Sequence, residues 1–341
     1  MKVVFPENKC LIGNKIKNFT IKSDGFIYHE DIDISNPKDN QITINKVDYY
    51  FTYLTLDGKT KGGNSIILKL FETQNINEDD IKYETPDLII KILKYKKQRF
   101  PEVPELRFQK EISILNKCKE LEYQNIINID YHGICKIYNP QKHVYYEYLF
   151  YTMEYAPFDL KSFIEMYHNT IDLNKKLSYC ISISKGLKEL YNLGYFHRDI
   201  KPDNIFITND IWKIGDLGLL EERESEKSLD LEAEWVGPRG WMSPESMNKF
   251  LTEGKGFENK FNCKIDHQSD IFQLGKVFWY IFQYNAPIGG VKEIDFKIKQ
   301  THIYSILKTM LNHSKTKRFK NIDEIIFLLE KIELKLFKSV A

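Results

Sequence analysis

One short polar segment constrains the fold of this 341-residue chain more than any other feature. It occupies residues 197–204, with the sequence His-Arg-Asp-Ile-Lys-Pro-Asp-Asn. Before it, residues 174–193 carry apolar side chains at helical spacing, and Gly194 favours a left-handed helix stop. After it, two apolar runs at 204–207 and 212–215 flank Thr-Asn-Asp, which predicts a hairpin. The polar side chains are therefore expected to be held rigidly between a buried helix and a hairpin.

The residue types in this segment are those that phosphoryl transfer requires. Such a reaction needs an acceptor for the proton of the attacking hydroxyl, a cation near the migrating phosphoryl group, and oxygen ligands for magnesium. Asp199, Lys201 and Asn204 can supply these functions within one loop. Just beyond the predicted hairpin, Asp216 offers a second metal-binding carboxylate and is followed by Leu-Gly. The two loops are expected to face each other.

The pattern H-R-D-x-K-P-x-N, followed about a dozen residues later by D-L-G, resembles the eukaryotic-type protein kinase superfamily with a serine/threonine kinase-like catalytic loop. The resemblance extends from about residue 50 to residue 329. It implies an α+β, bilobal protein-kinase-like fold with a small β-rich N-terminal lobe and a larger helical C-terminal lobe. It also implies transfer of the ATP γ-phosphoryl group, with Mg²⁺, to serine or threonine hydroxyls of protein substrates. Asp199 and Lys201 would then be catalytic, and Asn204 and Asp216 would bind the metal.

Further positions resemble the nucleotide-binding residues of the family. Lys91, in Leu-Ile-Ile-Lys, resembles the strand lysine that holds the α- and β-phosphates. Glu111, on an amphipathic helical stretch, resembles its ion-pair partner. Backbone groups of Glu154 and Ala156 are expected to bond the adenine edge, and Asp159 falls where the family often contacts the ribose. These five residues are assigned by their order along the chain and by the resemblance.

The glycine-rich loop departs from the family pattern. Residues 58–65 keep outer glycines, Gly58 and Gly63, but the middle glycine is not where G-x-G-x-x-G requires it. Because backbone N–H groups can still cradle phosphate in such a loop, Gly58 and Gly63 remain candidates for ATP binding. The span from Gly63 to Lys91 is long for the family and implies an inserted loop around residues 75–86.

The later part of the chain carries residues that resemble structural and specificity positions of the family. Glu245 is expected to pair with Arg318, and Asp270 is expected to orient the catalytic loop from a helix. Pro238 stands where serine/threonine kinases usually carry a threonine, and the following Trp-Met-Ser-Pro-Glu also occurs in tyrosine kinases. Lys201 nevertheless favours serine/threonine specificity, because a lysine two residues after the base can neutralise phosphoryl charge. Dual specificity is the alternative.

Arg198 raises a question of regulation. In the family this arginine usually pairs with a phosphate, and the sequence predicts that the carboxylate of Glu234, three residues before Gly237, takes its place. In the alternative, Glu234 is a solvated acid and Ser225 or Ser228 is the phosphorylated switch.

Two further classes of protein share the fold. A pseudokinase would use it as an ATP-binding scaffold, and this reading is disfavoured because the chain retains Lys91, Glu111, Asp199, Asn204 and Asp216. An enzyme that phosphorylates a small molecule is disfavoured by the Ser-Pro-Glu motif, which accompanies a platform for protein substrates.

The composition of the chain limits the classes of partner and the cellular location that we expect. Lys plus Arg (49) nearly balances Asp plus Glu (48), so no nucleic acid partner is expected. The five cysteines form no CxxC pair, which predicts reduced thiols rather than a zinc site or disulfides. No apolar run approaches the roughly 20 residues of a membrane span, and the N-terminus lacks a secretory pattern. A cytoplasmic protein with no membrane partner is expected, and its oligomeric state is not determined by these features.

The character of the chain changes near Ala156, where strand-like runs give way to helices. The predicted divisions are an N-terminal extension with β-like stretches packed on the N-lobe, a kinase N-lobe and a kinase C-lobe, at residues 1–46, 47–155 and 156–341. Predicted strands lie at residues 49–56, 65–71, 88–93 and 145–153.

Overall fold

The structure is a computed structural model that describes residues 9–12, 19–22, 24–30, 40–54, 63–74, 84–99, 101–139, 142–225, 228–232, 234–256 and 260–340. The chain divides into two units. One comprises Met1–Leu121 with Asn128–Tyr155, and the other comprises Glu122–Ile127 with Ala156–Ala341. The three-part division at residues 46 and 155 stays a prediction.

The first unit is built mainly of strands. Within its described residues these are β1 (Lys9–Ile12), β2 (Phe19–Ile21), β3 (Ile27–Glu30), β4 (Gln41–Ile44), β5 (Val47–Tyr53), β6 (Ser65–Glu72), β7 (Leu88–Lys96), β8 (Ile129–Asn139) and β9 (Val144–Glu154), with one helix, α1 (Val103–Glu120). The four strands that the sequence predicts correspond to β5, β6, β7 and β9 and are confirmed, except that residues 55 and 56 of the first prediction lie outside the described residues.

Among the described residues, seven of these strands close into a barrel, in the order β1-β4-β5-β6-β7-β9-β8. β1 completes the closure, because it pairs antiparallel with β4 and parallel with β8. Isoleucine, leucine and aromatic side chains fill the interior, as expected of half-buried strands. Strands β2 and β3 form a separate hairpin, from which Ile21 and Ile27 join this core.

Helix α1 shows the apolar stripe that the sequence predicts. Phe108, Ile112 and Leu115 are buried, as is Glu111, and the helix contacts β7, β8 and β9. A proline in the first turn suits the helix start, where its missing N–H costs no hydrogen bond. The stripe presses one face of α1 onto the barrel and carries Glu111 into the interior.

The second unit is mainly helical. Its described elements are β10 (Phe158–Asp159), α2 (Leu160–Tyr167), α3 (Leu173–Asn192), β11 (Tyr195–Phe196), β12 (Ile205–Thr208), β13 (Ile211–Ile214), β14 (Glu221–Glu222), α4 (Pro244–Thr252), α5 (His267–Gln283), α6 (Thr301–Met310) and α7 (Ile322–Val340). A β-rich unit and a helical unit make up the α+β, bilobal architecture that the sequence predicts.

The helix and hairpin that flank the polar segment are both present. The side chain of Asp172 caps α3 by accepting a hydrogen bond from the backbone N–H of Lys175, and Gly194 follows the helix with a φ of 83°. β12 and β13 pair through a turn in which Asn209 and Asp210 both have positive φ, a geometry these residue types tolerate. Within the described residues, no helix combines the length and apolar character needed to cross a bilayer.

Candidate active site

The loop between β11 and β12, residues 197–204, is held from behind by α5. The carboxylate of Asp270 accepts hydrogen bonds from the backbone N–H groups of His197 (2.8 Å) and Arg198 (2.7 Å). One turn later, the side chain of Gln273 accepts from Ile200 N–H and donates to the Arg198 carbonyl, both at 3.0 Å. Buried backbone groups require such partners. The orienting role predicted for Asp270 is confirmed by these contacts, and Gln273 adds a second support.

Asp199 lies at the centre of this loop with two side-chain donors. The amide nitrogen of Asn204 donates to Asp199 Oδ2 at 2.7 Å and to its carbonyl at 2.9 Å, and Lys201 Nζ lies 3.2 Å from the same Oδ2. Burial raises the pKa of Asp199 to about 6, while the charge of Lys201 and both side-chain hydrogen bonds act to lower it. The carboxylate is therefore ionised at neutral pH and fixed in orientation.

His197 joins this loop to the residues before Asp216. Its Nδ1 accepts the backbone N–H of Asp199 at 3.1 Å, so its Nε2 carries the proton and donates to the Gly215 carbonyl at 3.2 Å. Burial lowers the pKa of His197 to about 4, so the ring is neutral. The N–H of Gly215 also donates to the Asn204 carbonyl. Both loops are thus fixed to one another, with Asp216 exposed at a φ of 55°.

The residues suited to magnesium are Asn204 and Asp216. Among the described residues, no group of three or more His, Cys, Asp or Glu side chains could hold a metal ion. Magnesium, however, is commonly bound through one or two carboxylates together with substrate phosphates and water. The amide nitrogen of Asn204 is engaged with Asp199, which leaves its amide oxygen as the group offered to a cation. The donor set fits magnesium that arrives with a phosphorylated ligand.

In the first unit, Lys91 and Glu111 form the predicted ion pair. Lys91 Nζ lies 2.9 Å from Glu111 Oε1 and 3.1 Å from Oε2, and both residues are buried. β7 supplies the lysine and α1 supplies the glutamate. The pair links the helix to the barrel and places an ammonium group at a fixed position on β7.

The other predicted nucleotide-binding residues, Glu154, Ala156 and Asp159, lie between the end of β9 and the start of α2. Glu154 ends β9, and its backbone N–H donates to the Asn128 carbonyl. Ala156 begins the second unit's long segment. Asp159 caps α2, because its carboxylate accepts the N–H of Ser162 at 2.7 Å.

Little of the predicted glycine-rich loop falls within the described residues. Gly63 is exposed, with open space where a Cβ would lie, and it precedes the buried start of β6. Gly58 and most of the inserted loop predicted at 75–86 lie outside the described residues.

The partner of Arg198 differs from the prediction. Both terminal nitrogens of its guanidinium lie 2.8 Å from the carboxylate of Asp230, and Lys249 Nζ of α4 lies 2.6 Å from Asp230 Oδ2. Burial alone would raise the pKa of Asp230, but Arg198 and Lys249 outweigh it and hold the pKa well below its ordinary value. Glu234 instead accepts the backbone N–H of Leu231. The prediction of Glu234 as the partner of Arg198 is wrong, because it is the carboxylate of Asp230 that reaches the guanidinium.

The predicted pair of Glu245 and Arg318 is confirmed. The guanidinium donates to Glu245 Oε1 at 2.9 Å and Oε2 at 3.1 Å, and both side chains are almost fully buried. Arg318 also donates to the carbonyls of Asn312, Gln268 and His313. This network fixes the start of α4 to the start of α5 and to the connection between α6 and α7.

Comparison with known proteins agrees with this geometry. The family model for protein tyrosine and serine/threonine kinases matches residues 74–322, and the chain belongs to that family. It is similar to the human MAPK/MAK/MRK overlapping kinase, with 29% identity over 44% of this chain and 32% of that protein. It is also similar to the mouse dual specificity protein kinase TTK, with 23% identity over 64% of this chain and 26% of that protein. The chain therefore covers less than a third of either relative.

The sequence analysis missed several residues of the site. Gln273 could have been found, since it lies one turn after Asp270 on the same helix face. Asp230 and Lys249 could not, because their approach to Arg198 depends on the path of an irregular segment. Tyr151, whose hydroxyl donates to Glu111, becomes visible only once the pairing of β7 and β9 is known.

Proposed function

We propose that this chain is a protein kinase that transfers the γ-phosphoryl group of ATP to serine or threonine hydroxyls of protein substrates. The observation that carries the proposal is the hydrogen-bonded group of Asp199, Lys201 and Asn204, fixed to the loop that precedes Asp216. Membership of the kinase family supports the reaction class.

The roles of the catalytic residues follow from their chemistry. Asp199 accepts or orients the proton of the attacking hydroxyl, because its carboxylate is ionised and held by two donors. Lys201, 3.2 Å from that carboxylate, stabilises negative charge on the transferring phosphoryl group. The amide oxygen of Asn204 and the carboxylate of Asp216 would hold Mg²⁺. When bound, the metal neutralises phosphate charge and orients the phosphates.

The remaining proposed roles concern binding of ATP. Lys91, fixed by Glu111, bonds the α- and β-phosphates. Backbone groups of Glu154 and Ala156 bond the adenine edge, and Asp159 contacts the ribose. The N–H groups of the loop that contains Gly58 and Gly63 cradle the phosphates.

Serine/threonine specificity is proposed from Lys201, because a lysine two residues after the base can neutralise the charge of the phosphoryl group directly. Dual specificity is the second candidate, because one relative is named as a dual specificity kinase. The proposed partners are protein substrates in the cytoplasm, with neither nucleic acid nor a membrane involved. Near-balance of basic and acidic residues, 49 against 48, supports the exclusion of nucleic acid.

The test is transfer of radiolabelled phosphate from ATP to a generic basic protein, followed by analysis of the phosphorylated amino acids. Asp199→Asn keeps the size of the side chain but removes the base, so transfer should fall by at least about 100-fold. Asp210→Asn is the matched control, since it makes the same change at an exposed left-handed turn position that asparagine tolerates. Equal activity of wild type and Asp199→Asn would refute the proposed base, and phosphotyrosine alone would refute the specificity.

A further inference from the structure

The buried ion pair of Lys91 and Glu111 has a third member. The hydroxyl of Tyr151 donates a hydrogen bond of 3.0 Å to Glu111 Oε1, the oxygen that also lies 2.9 Å from Lys91 Nζ. The ammonium lies 5.6 Å from the centre of the Tyr151 ring, within range of a cation–π contact. Glu111 Oε1 thus accepts two hydrogen bonds, one from the ammonium of Lys91 and one from the hydroxyl of Tyr151.

This arrangement follows from strand register. β7 and β9 are antiparallel, and Lys91 lies directly opposite Tyr151 in their pairing. Directly opposed residues project to the same face of a sheet, so both side chains point the same way. On that face lies α1, which contacts both strands and carries Glu111. The glutamate therefore meets two neighbouring strands through two different donors.

The hydroxyl supplies something that the ring does not. The Tyr151 ring packs against Phe108 of α1 at 5.4 Å between ring centres, and a phenylalanine could make that contact equally well. Only the hydroxyl reaches Glu111. Glu111 and Tyr151 are each about 1% exposed, so solvent contributes little to the carboxylate. A hydrogen bond to a charged group is stronger than one between neutral groups, and it is directional.

We propose that Tyr151 is a positioning residue for phosphate binding. Its hydroxyl fixes the Glu111 carboxylate from the rigid strand β9, and Glu111 in turn fixes the ammonium of Lys91. A lysine side chain without such partners would hold its ammonium group at no fixed position, because its stem of four carbons is flexible. With the Tyr151 hydroxyl present, the ion pair and α1 are held in position before nucleotide binds. The consequence for ATP rests on the proposed function, whereas the effect on α1 does not.

The chain offers a matched control on the same strand. Tyr148 of β9 is also fully buried, and its hydroxyl donates at 2.9 Å to the carbonyl of Gly25 in the β2–β3 hairpin. Tyr148→Phe and Tyr151→Phe each delete one buried, hydrogen-bonded hydroxyl from β9. Any general loss of stability from deleting a buried hydroxyl should therefore appear in both variants. Only Tyr151→Phe removes a contact with the ion pair.

Two measurements separate positioning from packing. The first is hydrogen–deuterium exchange of α1 peptides in the protein without nucleotide, which should rise in Tyr151→Phe and stay at the wild-type level in Tyr148→Phe. The second is steady-state kinetics, where kcat/KM for ATP should fall roughly tenfold in Tyr151→Phe, as for loss of a hydrogen bond to a charged group. The KM for the protein acceptor should change by less than about twofold, because the acceptor makes no use of Lys91.

A third arm tests whether the tyrosine acts through the glutamate. In a Glu111→Gln background, adding Tyr151→Phe should cost less than about twofold further in kcat/KM for ATP, since coupled residues are not additive. Equal α1 exchange in Tyr151→Phe and Tyr148→Phe would overturn the proposal, as would full additivity with Glu111→Gln. If the wild type transfers no phosphate while α1 exchange still separates the two variants, the proposed function fails and the positioning role stands.

Discussion

Arg198 and Asp230 form a two-pronged ion pair, in which each terminal nitrogen of the guanidinium lies 2.8 Å from a carboxylate oxygen. Lys249 joins the same carboxylate from α4. The pair ties the residue before Asp199 to the irregular chain that precedes α4. Because the acid is encoded in the chain, this contact needs no added phosphate group.

We therefore expect the protein to remain active after treatment with phosphatase. Asp230→Asn keeps the size of the side chain but removes the charge that holds Arg198 and Lys249, and leaves Arg198 with the longer contact to Glu221 at 3.4 Å, so activity should fall by more than about tenfold. Asp230→Glu should restore part of the loss. The measurement is phosphate transfer by dephosphorylated wild type and variants. Glu234→Gln is the control and should match wild type, whereas loss of activity on dephosphorylation would favour Ser225 or Ser228 as the switch.

Activity should depend on pH through Asp199. Its pKa is raised to about 6 by burial, and the base must be ionised to accept a proton. As pH falls below about 6, kcat/KM should drop, approaching tenfold per pH unit. Since the charge of Lys201 lowers the pKa of Asp199, Lys201→Met should move this fall to higher pH. Circular dichroism at each pH checks that the fold persists, and a flat profile down to about pH 5 would argue against Asp199 as the base.

Removal of the Asp216 carboxylate should abolish turnover without unfolding the chain. Asp216 is exposed but has a φ of 55°, a left-handed conformation that alanine tolerates less well than aspartate, so Asp216→Ala should lower stability by about 1 kcal/mol, which is too little to unfold the chain. Loss of a metal ligand should lower kcat by roughly 1,000-fold, because the metal stabilises charge by several kcal/mol. Thermal melting and phosphate transfer are measured together across a range of Mg²⁺ concentrations. A folded variant with wild-type activity would remove Asp216 from the metal site.

The buried pair of Glu245 and Arg318 should contribute far more to stability than an exposed pair in the same unit. Arg318→Met leaves Glu245 charged and buried, which should cost about 3–5 kcal/mol. Lys188→Met breaks the contact with Asp323, where both side chains are about half exposed, and should cost about 1 kcal/mol or less. Urea denaturation of the two variants compares them directly. Similar midpoints would contradict the distinction.

The residues best predicted from sequence are those whose distance along the chain fixes their distance in space. Asp199, Lys201 and Asn204 share one loop, and the order of Lys91 and Glu111 suffices because a strand and a helix each hold one of them. The contact of Asp230 with Arg198 was not predicted, because counting residues along a segment without regular secondary structure does not give their positions in space. The parallel pairing of β1 with β8 was not predicted either, because it joins residues more than a hundred positions apart and no local sequence pattern encodes it.

The barrel closure has a practical consequence for the design of shorter proteins. The family match begins at residue 74, after β1, β4, β5 and β6. A protein trimmed to that match would keep only β7, β9 and β8, with the outer edges of β7 and β8 stripped of their neighbours. Open apolar strand edges recruit other chains, so such a fragment should precipitate on expression. The early strands are thus what keeps the family-matched portion of the sheet from associating with other copies of itself.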